Sequence, residues 1–228
     1  MLRSPIGDGA IPTDDEFLLH STATFDRARA GRDVPSDFPK RAVDIASALV
    51  AMPIVLFFCV VLVIANPIWN PGRLFFLQKR MGHGCRSFIT IKFRTMRDAP
   101  RITRGPEDPV ECERVTRLGR LLRVTRIDEL PQFINVLGGE MSLIGPRPDY
   151  WDHAVHYLQS VPGYRERHKV RPGITGLAQV QTGYAEGISA TVRKTHIDLR
   201  YIRTRSARME LYVVWRTLVV LSTGFGAR

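Results

Sequence analysis

Two adjacent carboxylates, Asp128 and Glu129, are the residues of this chain whose types best fit catalysis. They follow Arg123 and Arg126, so two cations precede them within five positions. An aspartate carboxylate is ionised at neutral pH, and it can attack a phosphoryl group to form an acyl phosphate, act as a base or bind Mg²⁺. Asp is equally a favoured helix N-cap and Glu suits a first helical turn. The pair alone therefore favours a structural cap.

A second candidate is Arg147, which lies between Pro146 and Pro148. A backbone fixed on both sides costs little entropy to order around a diphosphate, and a guanidinium binds phosphate oxygens in pairs. A rigid connector with a solvated arginine fits the same residues. Lys92 and Arg94 lie two positions apart at the end of an expected strand, so both side chains should project to one face. There they either neutralise phosphate or are simply solvated.

Composition and missing motifs exclude several classes of protein. The 228 residues include 33 Lys and Arg and 22 Asp and Glu, and the net charge of +11 indicates an anionic partner such as nucleic acid, an acidic membrane surface or a phosphorylated substrate. Three cysteines without a CxxC pair exclude a disulfide scaffold and give no zinc site. The sequence has no P-loop motif and no GxGxxG after a strand, so neither a P-loop nor a dinucleotide-binding fold is indicated. It also has no DxD, the usual metal-binding motif of soluble glycosyltransferases that use nucleotide sugars.

The element that must place these residues is an apolar segment without charge, Ile45–Gly72, 28 positions long. Its densest part, Ile45–Ala65, is long enough to cross a bilayer. Basic residues flank it on both sides, beginning with Lys40 and Arg41, and the positive-inside rule places both flanks in the cytoplasm. Pro53 lies near the middle and can kink a helix. A re-entrant hairpin and an ordinary spanning helix both fit these residues.

The other elements are predicted from local patterns. Residues 1–39 are acidic and contain four prolines, which indicates a disordered lead. Leu74–Met96 holds two β-prone runs around two glycines and predicts a hairpin. Asp98–Arg114 contains three prolines and eight charged residues and predicts a surface loop. Val115–Thr125 and Met209–Leu221 predict amphipathic helices that suit a membrane surface, although the first equally suits a core helix with a solvated face.

Between these helices the sequence predicts one more helix and two loops. Asp128 can begin a helix that continues through Val136 and stops at Gly138–Gly139. The segments Gly145–Pro148 and Arg171–Gly176 are rich in Pro and Gly and are typical of loops.

Five segments in this order resemble the bacterial sugar transferases, which are monotopic polyprenyl-phosphate phosphoglycosyl transferases. They are Lys92–Met96, Thr125–Gln132, Asn135–Leu137, Met141–Pro148 and Arg171–Gln179. The resemblance implies a mostly helical α+β fold with one re-entrant, Pro-kinked membrane helix near the N-terminus, a small β-hairpin and surface amphipathic helices. It implies the minimal form of the family. The expected division is a lead, a membrane helix and a catalytic domain on the cytosolic face, at residues 1–39, 40–72 and 73–228.

The resemblance also implies an activity. Such enzymes take a sugar 1-phosphate from a nucleotide diphosphate sugar, usually a UDP-sugar, and pass it to undecaprenyl phosphate at the cytoplasmic face of the bacterial inner membrane. UMP is released, and the lipid-linked sugar initiates an exopolysaccharide or another surface glycan. Mg²⁺ is the implied cofactor, membrane lipids are partners and nucleic acid is not. A homodimer and contacts with downstream glycosyltransferases are compatible with this activity, and glucose, galactose or an N-acetylated sugar would fit it equally.

Residue roles come with the resemblance. Asp128 matches the nucleophile that carries a covalent phospho-sugar and contacts Mg²⁺, and Glu129 matches its catalytic partner. Arg123 matches a phosphate-binding arginine, and Arg147 with Pro146 matches a nucleotide-binding loop. The further residues expected to bind substrate are Lys92, Arg94 and Gln179. Those expected on the re-entrant helix are Lys40, Arg41, Asp44 and Pro53.

Two departures and two alternatives accompany this interpretation. Met52 precedes Pro53 where the family often has Ser, and Ile202–Leu211 lacks the aromatic-rich ending that the family leads us to expect.

One alternative is a membrane-tethered basic protein that binds nucleic acid or anionic lipid without catalysis, although no helix-turn-helix, zinc or RRM signature is present. The other is an inactive member of the family, against which the intact Asp128 and Glu129 argue.

Overall fold

The computed structural model describes residues 37–97, 112–182 and 187–223, and within them the chain is mostly helical with two pairs of short strands. The helices are α1 (Asp37–Trp69), α2 (Arg117–Val124), α3 (Gln132–Leu137), α4 (Trp151–Ser160), α5 (Leu177–Thr182), α6 (Ile188–Thr204) and α7 (Ala207–Thr223). The strands are β1 (Phe75–Met81), β2 (Ser87–Phe93), β3 (Ser142–Ile144) and β4 (Gly173–Thr175). The expected mostly helical α+β fold is confirmed. The expected lead, residues 1–39, and the expected loop, residues 98–114, lie almost wholly outside the described residues.

Helix α1 packs along the domain formed by the rest of the described chain. One stripe of it is buried, and its residues lie at helical spacing: Asp44, Ala48, Ala51, Val55, Leu62, Ala65 and Asn66. Ala48 packs near the start of this stripe with Phe88 and Val136, and Leu62 packs near its end with Phe93 and Leu122. Because contacts to the domain occur near both ends of the stripe, α1 does not project from the domain.

The opposite side of α1 is exposed and apolar. It presents Val43, Leu49, Val50, Ile54, Leu56, Phe57, Val60, Val63, Ile64 and Ile68. Among the described residues, α1 is the one helix that is long and apolar enough to cross a membrane. Pro53 and Pro67 both lie inside it. A surface of this size and composition is unfavourable in water and indicates contact with lipid or protein.

The predicted hairpin is confirmed. Strands β1 and β2 pair antiparallel with Phe75 opposite Phe93 and Met81 opposite Ser87. A single turn of 3₁₀-helix, His83–Cys85, joins them. Thr90 and Phe93 on β2 are buried. The end of β2 therefore lies against the core, which places the residues after it close to α1 and α2.

The second strand pair corrects one prediction. Gly145–Pro148 is a loop as expected, but the expected loop Arg171–Gly176 contains strand β4, which pairs in parallel with β3. Two hydrogen bonds that flank the pair, from Ser142 N to the Pro172 carbonyl and from Gly145 N to the Thr175 carbonyl, are both 2.9 Å long. Within β4 only Ile174 and Thr175 favour a strand, and two such residues are too few to specify one, so the pairing with β3 determines it.

The C-terminal helices complete the core. The apolar segment predicted as a helix at Met209–Leu221 is confirmed within α7, and its fully buried Val213 packs with Ile144, Leu177 and Tyr201. The Tyr201 hydroxyl lies 3.2 Å from the Ile144 carbonyl and 3.0 Å from a Glu210 carboxylate oxygen, so α6, α7 and β3 meet at this side chain. The C-terminal segment is therefore packed, despite its unusual sequence.

Candidate active site

The carboxylate pair lies on a tight turn. Ile127–Glu129 form one turn of 3₁₀-helix between α2 and α3, and Arg126 before it has a left-handed backbone with φ of 58°. A non-glycine residue in this region is uncommon and is often found at functional sites. Asp128 and Glu129 are each only 8% exposed. Since α3 begins at Gln132 with Pro131 as its N-cap residue, the interpretation of Asp128 as an α-helix cap is wrong.

Glu129 is held by two cations. Its Oε1 lies 2.9 Å from Lys92 Nζ, and the Arg147 guanidinium donates to both of its carboxylate oxygens. Burial alone would raise the pKa of Glu129, but Arg147 and Lys92 hold it well below its ordinary value. Glu129 is therefore ionised, and it anchors the end of β2 and the Pro146–Pro148 loop beside Asp128.

Asp128 is in the opposite situation. Its Oδ1 is buried and accepts no hydrogen bond from the described residues. Burial and the neighbouring Glu129 carboxylate raise the pKa of Asp128 to about 6, against the opposing charges of Lys92, Arg147 and Arg123. A carboxylate that is ionised at neutral pH, more basic than usual and without a hydrogen-bond donor on one oxygen is suited to nucleophilic attack.

Arg123 is positioned by close packing between α2 and the segment after β2. Its Nε donates to Thr95 Oγ1 over 2.9 Å. Gly119, one turn earlier on α2, lies directly against the Thr95 backbone, where no side chain would fit. Thr116 caps the helix by accepting a hydrogen bond from Gly119 N at 2.9 Å. The predicted helix at Val115–Thr125 is thus confirmed, and it brings Arg123 to the charge cluster around Asp128.

The Ile174 carbonyl links two more predicted residues. It accepts from Arg147 Nη1 at 3.5 Å and from Gln179 Nε2 at 3.3 Å. Pro146 is buried, and its carbonyl accepts from Gly173 N at 3.0 Å. The structure therefore brings Arg147, Pro146 and Gln179 together, although Gln179 is on α5 and the other two are in the loop after β3.

Arg94 is placed differently from Lys92. Strand β2 ends at Phe93, and the buried Arg94 guanidinium donates to the Asn70 carbonyl at the end of α1. Asn70 Nδ2 returns a 2.8 Å bond to the Arg94 carbonyl. Gly72 packs on this guanidinium. Arg94 thus joins α1 to the hairpin, and its role in substrate binding stays a prediction.

The predicted membrane-helix residues fix the other end of α1. Arg41 donates to the Val136 and Leu137 carbonyls at 2.7 and 3.1 Å, which satisfies the C-terminal end of α3. Asp44 Oδ1 accepts from the Ser142 hydroxyl and from Leu143 N, both at 3.0 Å. Lys40 lies 2.9 Å from Glu210 on α7. Pro53 lies on the exposed part of α1 between these ends.

One buried charge network was not predicted from the sequence. Arg167 donates to the Asp149 carboxylate and lies 2.8 Å from Asp198 Oδ2, and the Tyr164 hydroxyl lies 2.6 Å from Asp149 Oδ2. Burial alone would raise the pKa of Asp149, but Arg167 and Tyr164 lower it to about 2, while burial raises the pKa of Asp198 to about 6. The sequence contains one indication of this network: Thr191 and Asp198 are polar residues seven positions apart, so they lie on the same face of their helix. Polar residues at this spacing are also common on solvent-exposed helix faces, so the pattern does not predict burial.

The donor set is compatible with Mg²⁺. Within residues 37–97, 112–182 and 187–223, no three His, Cys, Asp or Glu side chains converge as a metal cluster. Mg²⁺ commonly binds proteins through one or two carboxylates and takes its other ligands from substrate phosphates and water. The buried, unbonded Oδ1 of Asp128 fits this pattern, whereas both oxygens of Glu129 are engaged by cations.

Comparisons with known proteins agree on one family. A protein of Aeromonas hydrophila named UDP-N-acetylgalactosamine-undecaprenyl-phosphate N-acetylgalactosaminephosphotransferase is 41% identical over 192 residues, which are 84% of this chain and 45% of that protein. A UDP-glucose:undecaprenyl-phosphate glucose-1-phosphate transferase of Caulobacter vibrioides is 37% identical over 195 residues, 83% of this chain and 72% of the relative. The exopolysaccharide production protein PSS of Rhizobium leguminosarum bv. phaseoli is 36% identical over 190 residues, 79% of this chain and 93% of the relative.

The chain thus spans about half the length of the Aeromonas relative and most of the length of the other two. The sequence model of the family described as bacterial sugar transferase matches residues 35–224. This match includes the apolar helix, the hairpin, the carboxylate turn and the loop of Arg147, and it confirms the resemblance found in the motifs. The chain belongs to the bacterial sugar transferase family.

Proposed function

We propose that this protein transfers a sugar 1-phosphate from a UDP-sugar to undecaprenyl phosphate, releases UMP, and so initiates an exopolysaccharide or another surface glycan. The names of the relatives support the substrates. The observation that carries the mechanism is Asp128, a buried carboxylate with one unbonded oxygen and three neighbouring cations. Such a group is costly to bury, which argues for a role beyond stability.

The first step is attack on the donor. A carboxylate oxygen of Asp128 forms a bond to the phosphorus next to the sugar, and the bond from that phosphorus to the bridging oxygen of UMP breaks. UMP leaves with the bonding electron pair. The sugar 1-phosphate is then held on Asp128 as an acyl phosphate.

The second step returns the enzyme to its starting state. A phosphate oxygen of undecaprenyl phosphate attacks the same phosphorus, and the bond to Asp128 breaks. The product is a lipid diphosphate that carries the sugar, and Asp128 is again a carboxylate. No water takes part, so a site that excludes water protects the acyl phosphate from hydrolysis.

Charge compensation is the main task of the surrounding residues. A carboxylate and a diphosphate repel each other, and Arg123, Arg147 and Lys92 offset that repulsion. Glu129 neutralises part of this positive charge and holds Arg147 and Lys92 in place. Mg²⁺ on Asp128 Oδ1 would stabilise the negative charge of the diphosphate.

The packing of α1 supports a monotopic arrangement. Its buried stripe runs along the catalytic domain, and hydrogen bonds tie both of its ends to that domain, through Arg41 at the start and Asn70 at the end. A helix held in this way returns to the side from which it entered, and its exposed apolar face is left for the bilayer. The basic flanks support the cytoplasmic face of the inner membrane as that side, because positive residues favour the cytoplasm and nucleotide sugars are available there.

Exposed residues of two other helices fit the same membrane surface. Leu121 and Val124 on α2 are about half exposed beside Arg117 and Arg120, which are also exposed. Helix α7 exposes apolar side chains at helical spacing, namely Leu211, Tyr212, Trp215 and Leu218. Basic and aromatic side chains with an apolar stripe favour the interface between lipid and water.

The decisive experiment compares Asp128→Asn with a matched control. The purified protein in lipid nanodiscs receives Mg²⁺, undecaprenyl phosphate and either UDP-N-acetylgalactosamine, UDP-glucose or UDP-galactose, and UMP release is recorded. We expect release with one donor, a loss of at least about a thousandfold in Asp128→Asn, and no change in Asp152→Asn, since Asp152 is exposed on α4.

A second measurement tests the covalent step. Without undecaprenyl phosphate, labelled UMP should exchange into the UDP-sugar, because the first step alone is reversible. Exchange that requires the lipid would contradict the acyl phosphate. UMP release that survives in Asp128→Asn would contradict the assigned nucleophile.

A further inference from the structure

The loop that presents Arg147 is held at each of four successive carbonyl groups. The Pro146 carbonyl accepts from Gly173 N at 3.0 Å, and the Asp149 carbonyl accepts from Met81 N at 3.2 Å. Side chains hold the two carbonyls between them: Arg80 donates to the Pro148 carbonyl, and Arg167 Nη2 donates to the Arg147 carbonyl over 3.0 Å.

We propose that Arg167, held between the Asp149 and Asp198 carboxylates, is a positioning residue that sets the Arg147 guanidinium on Glu129 for donor binding. This inference rests on the proposed function. Arg167 contacts neither Asp128 nor Glu129 in the contacts described above. Its effect passes through the backbone of Arg147, 20 positions earlier in the chain.

The geometry explains why an arginine is needed. One end of the guanidinium, Nη1, donates to Asp149 Oδ2, and the other, Nη2, faces both the Arg147 carbonyl and Asp198 Oδ2. A planar fork can reach these three acceptors at once, through hydrogen bonds to Asp149 and the Arg147 carbonyl and through charge attraction to Asp198, whereas the ammonium of lysine is a point charge on a flexible stem. The side chains of Arg167 and Asp198 are 3% and 2% exposed, so this ion pair is shielded from salt.

Two carboxylates face the buried Arg167 guanidinium, and Lys194 lies close enough to attract both of them. Removing the guanidinium would leave the buried Asp198 carboxylate poorly compensated, which is costly. Asp149 is in the Arg147 loop itself, and Asp198 is on α6. Arg167 therefore joins the loop to α6, and it fixes both the backbone of Arg147 and the side chain two residues later.

The test separates donor binding from folding. Steady-state kinetics of wild type, Arg167→Lys and the control Arg193→Lys, an exposed arginine on α6, give kcat, the KM for the UDP-sugar and the KM for undecaprenyl phosphate. We expect Arg167→Lys to raise the KM for the UDP-sugar about 5- to 20-fold and to leave the KM for undecaprenyl phosphate within about twofold. A merely structural role would lower the amount of active enzyme and leave both KM values unchanged, and that result would overturn the proposal.

Two further variants complete the test. In the double variant Arg147→Ala with Arg167→Lys, the KM for the UDP-sugar should equal that of Arg147→Ala alone, because the lysine acts only through Arg147; additive effects would overturn the proposal. If Arg167→Lys does not fold, Asp198→Asn replaces it, and it too should raise the KM for the UDP-sugar and leave the KM for undecaprenyl phosphate nearly unchanged. If neither variant folds, the network serves stability alone and the proposal is overturned. Absence of activity in the wild type would instead count against the proposed function.

Discussion

Substituting Gly119→Ala should both destabilise the protein and slow the transfer reaction. A Cβ at this position would lie 2.6 Å from the Thr95 carbonyl carbon and 2.8 Å from Thr95 Cα, and still closer to the carbonyl oxygen. Carbon atoms in contact need about 3.5 Å, so α2 and the Thr95 backbone must move apart by about 1 Å. Arg123 donates to Thr95 Oγ1 at 2.9 Å, and this bond would then exceed a normal hydrogen-bond length.

The magnitude follows from the rigid atoms on both sides. Overpacking of this kind costs about 3 kcal/mol, which for a chain of this size lowers the Tm by about 6–12 °C. Thermal unfolding in detergent, followed by circular dichroism, measures the first effect, and UMP release at a temperature where both proteins are folded measures the second. The control is Gly84→Ala, where nothing lies within 4 Å of an added Cβ and the left-handed backbone costs about 1–2 kcal/mol.

Two outcomes would refute this reasoning. If Gly119→Ala melts no lower than Gly84→Ala, the close approach of α2 to Thr95 does not exist in solution. If it melts lower but releases UMP at the wild-type rate, the position of Arg123 does not depend on Thr95.

Two other predictions concern charge and topology. Asp128 should titrate at about pH 6, since burial and Glu129 raise its pKa, so UMP release should increase as the pH rises through that value. Carboxyl ¹³C NMR of aspartate-labelled protein without added metal measures this titration, and Asp128→Asn assigns the signal. A midpoint near the ordinary pKa of aspartate would contradict the prediction. The proposed re-entrant topology can be tested by placing single cysteines at the exposed ends of α1, Phe38→Cys and Trp69→Cys, in a cysteine-free background. Both should react with a membrane-impermeant maleimide on the cytoplasmic side. Reaction on opposite sides of the membrane would indicate a spanning helix.

Local patterns were sufficient for several elements. The hairpin was predicted because its two β-prone runs surround a glycine-rich turn, and α2 was predicted because leucines and arginines alternate at helical spacing. The long motifs gave the family, which the comparisons confirm. These features depend on residues that are close together in the chain.

Three features were not predicted, and two of them depend on distant residues. The turn at Asp128 rests on a left-handed Arg126, and no property of arginine indicates that conformation. Strand β4 exists only because β3 pairs with it. Arg167 is buried because Asp149 and Asp198 face it from two elements, and a sequence with many arginines gives no sign of which one is buried.

The link between Asn70 and Arg94 fixes the position of the site relative to the end of α1. Asn70 follows α1 directly, and Arg94 lies between Lys92, which binds Glu129, and Thr95, which binds Arg123. On the proposed monotopic arrangement, the depth at which α1 lies in the lipid sets the height of the carboxylate pair above the acyl chains. The distance that a lipid phosphate must cover to reach Asp128 then depends on the position of α1 in its leaflet, so a change in that position would alter the second step of the reaction.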